Sequence, residues 1–304
     1  MHLIVPFAAP LSEAGRHALQ TLKLPQLEGL LAAMAVVERD DGDALSLSPP
    51  HERAEARALG LAGADGELPW AALRATADGV DTADLFWGLL TPVHWEVGSD
   101  HVRLTDPAAL ALDGTESRTF FDAVQPLFES EGLLLAYGAP ERWYVAHESL
   151  KELPTASLDR VIGRPLDAWL PGGAQARLLR RLQNEVQMLL YTHPLNAERE
   201  ERGALPLNSF WLSGCGPRQV PSPVPGLQVD SRLRAPALAE DWAAWAEAWQ
   251  RLDAGFAVQS TRPATLVLCG ERSAVHFATR SRSLWQRLQG TLRGASATAL
   301  LETL

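Results

Sequence analysis

The 304-residue chain has two cysteines and no C-x-x-C pair, which excludes both a disulfide framework and a structural zinc site of the usual spacing. Lysine is nearly absent: Lys23 and Lys151 are the only two, so 25 of the 27 basic residues are arginine. Isoleucine occurs twice and asparagine three times, a skew that reads as GC-rich coding bias and not as function. Positive charge is in deficit overall. A net charge of −10 argues against a phosphate-backbone partner, because nucleic-acid binding needs a basic face. Long apolar runs are missing as well, since the longest, Leu30 to Val37, is far below a membrane span. The opening MHLIVPFAAP lacks a basic segment, and its apolar run is too short for a signal peptide. There is no G-x-S-x-G elbow, P-loop or G-x-G-x-x-G fingerprint. These absences predict a soluble, cytoplasmic protein with neither nucleic acid nor membrane as a partner. What is present, 46% hydrophobic residues over this length, is enough to bury a sizeable core.

Periodicity and turn residues divide the chain into alternating elements. Residues 3–8 predict a first strand, stopped by Pro10. Apolar residues at helical spacing run through 12–38, with Pro25 dividing two helices, and 39–50 reads as an acidic, Pro-ended surface loop. Helices follow at 51–59 and 69–78, then paired strands over 84–104 turning at Gly98-Ser99-Asp100. A helix at 116–130 leads to a hairpin over 132–147. After a short helix at 157–162 comes the longest, 174–193. A strand at 207–213, a Gly-bracketed turn and a stiff Pro-rich loop at 217–225 follow. The helix at 238–252 carries Trp242, Trp245, Trp249 and Leu252 at steps of three and four, a core stripe that could also serve as an oligomer face. Strands at 264–269 and 273–279 and a helix near 282–292 close the chain. This alternation predicts a layered α/β fold, with a mixed or mostly parallel sheet flanked by helices. The expectation is one domain over 1–304, divisible into sub-lobes 1–150 and 151–304.

All three asparagines, Asn184, Asn196 and Asn208, lie within 25 residues of one another, together with Gln187, His193, Arg199, Ser209 and Trp211. On a helix over 174–193, Asn184 and Gln187 stand three apart and share a face. One reading is a polar pocket where the helix end, the His193-Pro194 turn and the 207–213 strand meet. Arg199 would then supply an anion contact, and Asn208 would orient the ligand or the turn. The other reading is a structural amide network that locks a long connection, since buried amides bond backbone groups.

The segment's pattern is H-P-x-N-x-x-R (193–199) followed by N-S-x-W-x-x-G-x-G (208–216). With residues 48–54, 91–110, 140–147 and 153–173, it resembles a bacterial family related to the regulatory protein RpfE. That family is labelled phosphoglycerate mutase-like, within the alkaline phosphatase superfamily. The resemblance implies an alkaline phosphatase-like fold. It also implies, for an intact mutase, two divalent metals held by Asp and His, with a Ser nucleophile. The residues depart from that scheme. The nearest thing to the N-terminal metal motif is Arg39-Asp40-Asp41-Gly42-Asp43, the only Asp-His pair is Asp100-His101, and Asp230, Asp241, Asp253 and His276 are scattered. The expectation is a degenerate fold with no metal site and no cofactor, a regulatory protein binding a small anionic metabolite or a protein partner through 184–216. The alternative is a mutase or phosphatase that uses divalent metals, with Ser209 or His193 as the nucleophile or base.

Other features keep two readings each. His94 and His101 are ligands or half-buried strand residues. Gly214-Cys215-Gly216 is an anion-binding turn or a tight turn, and its glycines would leave Cys215 accessible. Cys269 ends an apolar strand and reads as inert core. Arg177, Arg180 and Arg181 form a salt-bridged helix face or an anion site. Arg142-Trp143-Tyr144 stacks on a ligand or packs a hairpin onto the sheet.

Overall fold

The computed structural model describes residues 1–173, 176–222, 224–258, 263–279 and 296–304. The helix expected at 282–292 lies outside them. Two compact units divide the chain: Met1–Leu59 with Ser222–Leu304, and Gly60–Pro221 between them in sequence. Position 150/151, the expected sub-lobe boundary, falls inside the second unit.

The first unit opens with β1 (His2–Val5) and α1 (Glu13–Thr21), whose start is fixed by the Ser12 hydroxyl accepting from the Gly15 N–H. Next come α2 (Pro25–Ala32), β2 (Met34–Asp41) and α3 (Pro50–Leu59). The boundary after α2 corrects the sequence reading, which carried a helix to 38 and a loop onward. An apolar run as short as Leu30–Val37 fits either period, and pairing with a later strand decides it: β2 lies antiparallel against residues 273–279. Val37 is the extra residue at an irregularity in that pairing, and both it and Val36 are exposed.

The second unit contains α4 (Trp70–Ala77), β3 (Phe86–Val93), β4 (Trp95–Val97), β5 (Val102–Leu104) and α5 (Gly114–Ser130). It continues with β6 (Leu134–Ala139), β7 (Arg142–Ala146), α6 (Leu158–Val161), α7 (Ala176–Tyr191), α8 (Pro194–Glu201) and β8 (Ser209–Pro217). The four-stranded sheet β6-β7-β3-β8 is antiparallel throughout, and β4 and β5 form a separate hairpin turning at 98–101. One sheet face buries Phe210 and Leu212 against Phe120 and Phe128 of α5 and Leu182 and Val186 of α7. The other packs Trp87 and Tyr144 against Ala71, Ala72 and Ala75 of α4. Each such large apolar side chain contributes roughly 1.5–3 kcal/mol on full burial.

The chain returns to the first unit with β9 (Leu227–Val229), α9 (Arg234–Leu238), α10 (Trp242–Val258), β10 (Thr265–Cys269), β11 (Ser273–Thr279) and α11 (Ala297–Leu301). Its sheet runs β2-β11-β10-β1-β9, with β9, β1 and β10 parallel and the other pairings antiparallel. Core residues of α1, α2, α10 and α11 cover one face, and Ala54 of α3 packs with Ile4, Val267 and Cys269 on the other. The tryptophan stripe is core. Trp245 and Trp249 are fully buried, and their indole N–H groups donate to the carbonyls of Phe7 (2.9 Å) and Ala8 (3.2 Å), holding the chain that leaves β1. The fold is mixed α/β, with helices flanking both sheets. No helix among the described residues is long and apolar enough to cross a membrane.

Candidate functional site

The asparagine-rich segment lies in the second unit, where α7 ends, α8 begins and the chain enters β8. Pro194 at the first position and the His193 side chain, whose Nδ1 accepts from the Leu195 N–H at 3.2 Å, start α8, a helix the sequence reading missed. Asn196, on the first turn, is buried and bonded at both amide atoms. Its Nδ2 donates to the carbonyls of Leu190 (2.8 Å) and Leu207 (2.7 Å), and its Oδ1 accepts from the Leu207 N–H (2.9 Å). One side chain thereby ties the end of α7 to the entrance of β8.

Arg199 follows three residues later and is 1% exposed. Its Nε donates to the Leu205 carbonyl (2.8 Å), Nη2 to the Leu110 carbonyl and Nη1 to the Glu116 carboxylate on α5. Arg202 pairs with the other Glu116 oxygen from the surface. The guanidinium that sequence reading reserved for an anion thus has its three nitrogens engaged inside the protein.

Asn208 closes the arrangement on the sheet side. Its Oδ1 accepts from the Trp95 N–H at 2.7 Å and its Nδ2 donates to the Trp95 carbonyl at 3.0 Å. His94 Nδ1 lies 2.8 Å from the Pro206 carbonyl, which makes it the protonated, donating nitrogen. Trp211, fully buried, donates from Nε1 to the Ala156 carbonyl at 2.9 Å. Strand alternation puts Ser209 on the face of Trp211, and its buried Oγ has no hydrogen-bond partner among the described residues. His193 packs its ring on Phe120, 5.1 Å between centroids. Burial pushes its titration below the ordinary histidine value, against the opposing pull of Glu198.

Two candidates stand apart from this cluster. Asn184 and Gln187 share a face of α7, as expected, but that face turns outward: Asn184 is exposed and Gln187 only half-buried. The buried amide of α7 is Gln183. Glu116 and Asp78 are the polar groups that sequence reading missed. Asp113-x-x-Glu116 at the start of α5 carries the spacing of an N-terminal cap, and Asp113 does accept from the Thr115 and Glu116 N–H groups. Nothing in that pattern signals that the Glu116 carboxylate reaches a residue 83 positions away. Asp78, at the end of α4, accepts from Arg142 Nε and Nη2 (2.9 Å each) and from the Tyr144 hydroxyl (2.6 Å). The Arg142 hydrogen bonds, then that of Tyr144, hold the Asp78 carboxyl below its ordinary range. The Arg142-Trp143-Tyr144 run is therefore hairpin packing, with Trp143 donating to Ser117 Oγ at 3.0 Å.

Gly214-Cys215-Gly216 is neither an anion loop nor a turn. The strand runs through it to Pro217, and the glycines admit α4. A Cβ on Gly214, where φ is +63°, would sit 2.9 Å from the Trp70 Cβ, and one on Gly216 would meet the Pro69 Cβ at 2.9 Å. Cys215 is buried, not accessible, and burial pushes its thiol up to about 12. Cys269 is buried too, in line with the reading as inert core. On α7, Arg181 pairs with Glu131 and Glu185, and Arg180 Nη2 donates to the Pro171 carbonyl at 3.0 Å. An apolar cavity of about 20 Å³, lined by Leu90, Phe128, Val145, Leu178, Leu182 and Leu212 among others, has room for little more than one water.

Most of the side chains that a two-metal centre would draw on are hydrogen-bonded elsewhere, while the buried Nε2 of His276 has no hydrogen-bond partner among the described residues. Asp40 accepts from Arg53 at 3.0 Å, Asp41 from Arg39 at 2.6 Å, and Asp230 from Arg232. Asp43, Asp241 and Asp253 accept from the N–H groups of Leu45, Ala244 and Leu27. His101 accepts from Arg103 Nε at 2.7 Å, and His276 lies within β11 opposite Glu38. No three His, Cys, Asp or Glu side chains among the described residues converge on a point that could hold a metal ion.

No protein-family model matches the chain. Among curated proteins it is similar to two enzymes named 2,3-bisphosphoglycerate-independent phosphoglycerate mutase. With that of Methanosarcina barkeri it is 27% identical over 119 residues, 38% of this chain and 30% of the relative. With that of Methanothrix thermoacetophila it is 37% identical over 57 residues, 19% and 14% of the two lengths. The matches span less than a third of either curated relative's length. Among solved structures, the cofactor-independent phosphoglycerate mutase of Thermoplasma acidophilum aligns over 99% of both chains at 14% identity, with a TM-score of 0.38. The PH0037 protein of Pyrococcus horikoshii aligns over 99% of this chain and 96% of its own at 13% identity, with a TM-score of 0.45.

Proposed function

We propose that the chain is a phosphoglycerate mutase-like protein that acts by binding, as a cytoplasmic, RpfE-related regulatory protein taking a small anionic metabolite or a protein partner. In this reading the asparagine-rich segment is a lock and not a reaction centre. The observation that carries it is the direction in which the polar side chains are used. Asn196, Arg199, Asn208 and Trp211 bond main-chain groups and one internal carboxylate. A group that handles a substrate has to present an atom to it, and these atoms are already occupied.

The second reading is phosphoryl transfer with added divalent metal, favoured by the sequence similarity to the curated mutases and by the unpartnered Ser209 Oγ. Interconversion of phosphoglycerates and phosphate release, measured with manganese or zinc for the natural chain and for Ser209→Ala and His193→Ala, separate the two. The binding reading expects no turnover from any of them. Metal-dependent turnover that Ser209→Ala abolishes would replace it with the mutase reading.

A further inference from the structure

The outer face of α7 carries a stripe that matches itself under a two-fold rotation. Arg177, Arg181, Asn184, Met188 and Tyr191 follow one another at steps of four, three, four and three, so they line one side of the helix. All five are exposed, and two of them are large: Met188 at 76% and Tyr191 at 88%. The opposite side of the same helix is buried through Leu179, Leu182, Val186 and Leu190.

We propose that a second copy of this chain covers the stripe, with the two α7 helices antiparallel about a two-fold axis beside Asn184. Tyr191 lies seven residues after Asn184 and Arg177 seven before it, so each tyrosine ring packs along the partner's Arg177 side chain, which keeps the contact it has within its own chain. Met188 lies four after and Arg181 three before, so the thioether packs along the partner's Arg181 stem, which stays ion-paired to Glu131 and Glu185. The two Asn184 amides meet at the axis, where a pair of amides can bond each other.

Charge runs the same way. Arg177, Arg180 and Arg181 occupy the first half of α7, against the positive end of their own helix, while Glu198, Glu200 and Glu201 follow on α8. Antiparallel docking places each basic half beside the partner helix's negative end. A 16-residue helix is about 24 Å long and buries less than the roughly 1,200 Å² of a stable interface. The association is therefore a weak one that depends on concentration.

Sedimentation of the full chain across the micromolar range tests this, with Met188→Glu and Tyr191→Glu as variants at exposed positions. The natural chain is expected to shift from monomer to dimer with concentration, and each variant to weaken the association by about tenfold or more. Cross-linking provides the second measurement. Both native thiols are buried, so Asn184→Cys creates the reactive one. A short bis-maleimide should join two Asn184→Cys chains, while Val220→Cys, exposed elsewhere in the same unit, should stay monomeric. A concentration-independent monomer would overturn the proposal. So would a dimer that both glutamate variants leave intact, or equal cross-linking at the two positions.

Discussion

Asn208 shows what a single side chain does here. It replaces two ladder partners for Trp95 where β3 gives way to β4, and its own amide is satisfied in return. Asn208→Ala leaves a main-chain donor and acceptor to be rehydrated or stranded, and should cost roughly 1–3 kcal/mol in urea unfolding. Unchanged stability with lost ligand binding would return this residue to a pocket. Arg199 is the larger case. Arg199→Ala strands the Glu116 carboxylate with only the surface Arg202, an expected loss of about 3–5 kcal/mol. Arg199→Lys should recover little, because an ammonium cannot reach Leu205, Leu110 and Glu116 together. These contacts also set a pH dependence. The Asp78 carboxyl is held low by Arg142 and Tyr144, and His193 is held low by burial. In both groups the unfolded chain binds protons first as pH falls. Their contributions are present above the unfolded values and lost on acidification, His193 below about 6.5 and Asp78 further down, as thermal melts at stepped pH will show. Sequence reading located Asn196, Arg199, Asn208 and Trp211 together because rarity and spacing are visible in the chain. It could not tell lock from pocket, since that depends on partners such as Glu116 and Trp95 that lie far away in sequence.

Among elements, β8 repays attention to its glycines. The Gly-x-Gly signal was legible, but its cause, the approach of Pro69 and Trp70 at the start of α4, was not, because nothing in a G-x-G pattern names a neighbour. Gly214→Ala forces a Cβ into both a left-handed backbone and the Trp70 side chain. An expected cost of about 1–3 kcal/mol is readable as a lowered midpoint in urea, and no loss would mean that α4 can move away. Helices α3, α4, α5, α7 and α10 were legible from apolar spacing, and the β6–β7 hairpin from its turn residues. Besides α8, the segments that were missed or misread include two strands decided by pairing. β2 shares its apolar run with the end of α2, and only β11 makes it a strand. β9 is three residues long and exists through its pairing with β1. The Trp242, Trp245, Trp249 stripe was correctly a core stripe, and its added task, donating to Phe7 and Ala8, is a tertiary fact. Trp249→Phe should keep most of the packing and lose one buried bond, roughly 1–3 kcal/mol by the same unfolding measurement.

At the scale of the whole molecule, one segment, Gly60–Pro221, forms its own unit while Met1–Leu59 and Ser222–Leu304 fold together. No composition change marks residues 59 or 221, because a strand such as β1 looks the same whether its neighbour is near in sequence or, as with β10, more than 260 residues away. The class of the fold was legible all the same, since alternation of helices and strands survives any ordering of the sheet. On the proposed reading the molecule acts by binding, and the asparagine-rich segment, bonded to its own main chain, holds it in shape. A thermal-shift series with phosphorylated glycerates and other small organic anions, each with and without divalent metal, tests that most directly. A ligand at a hundred times its dissociation constant adds about 2.7 kcal/mol, several degrees for a chain of this size. The account predicts that an anion raises the midpoint by the same amount with or without metal. A shift that appears only when metal and phosphorylated ligand are present together would contradict it.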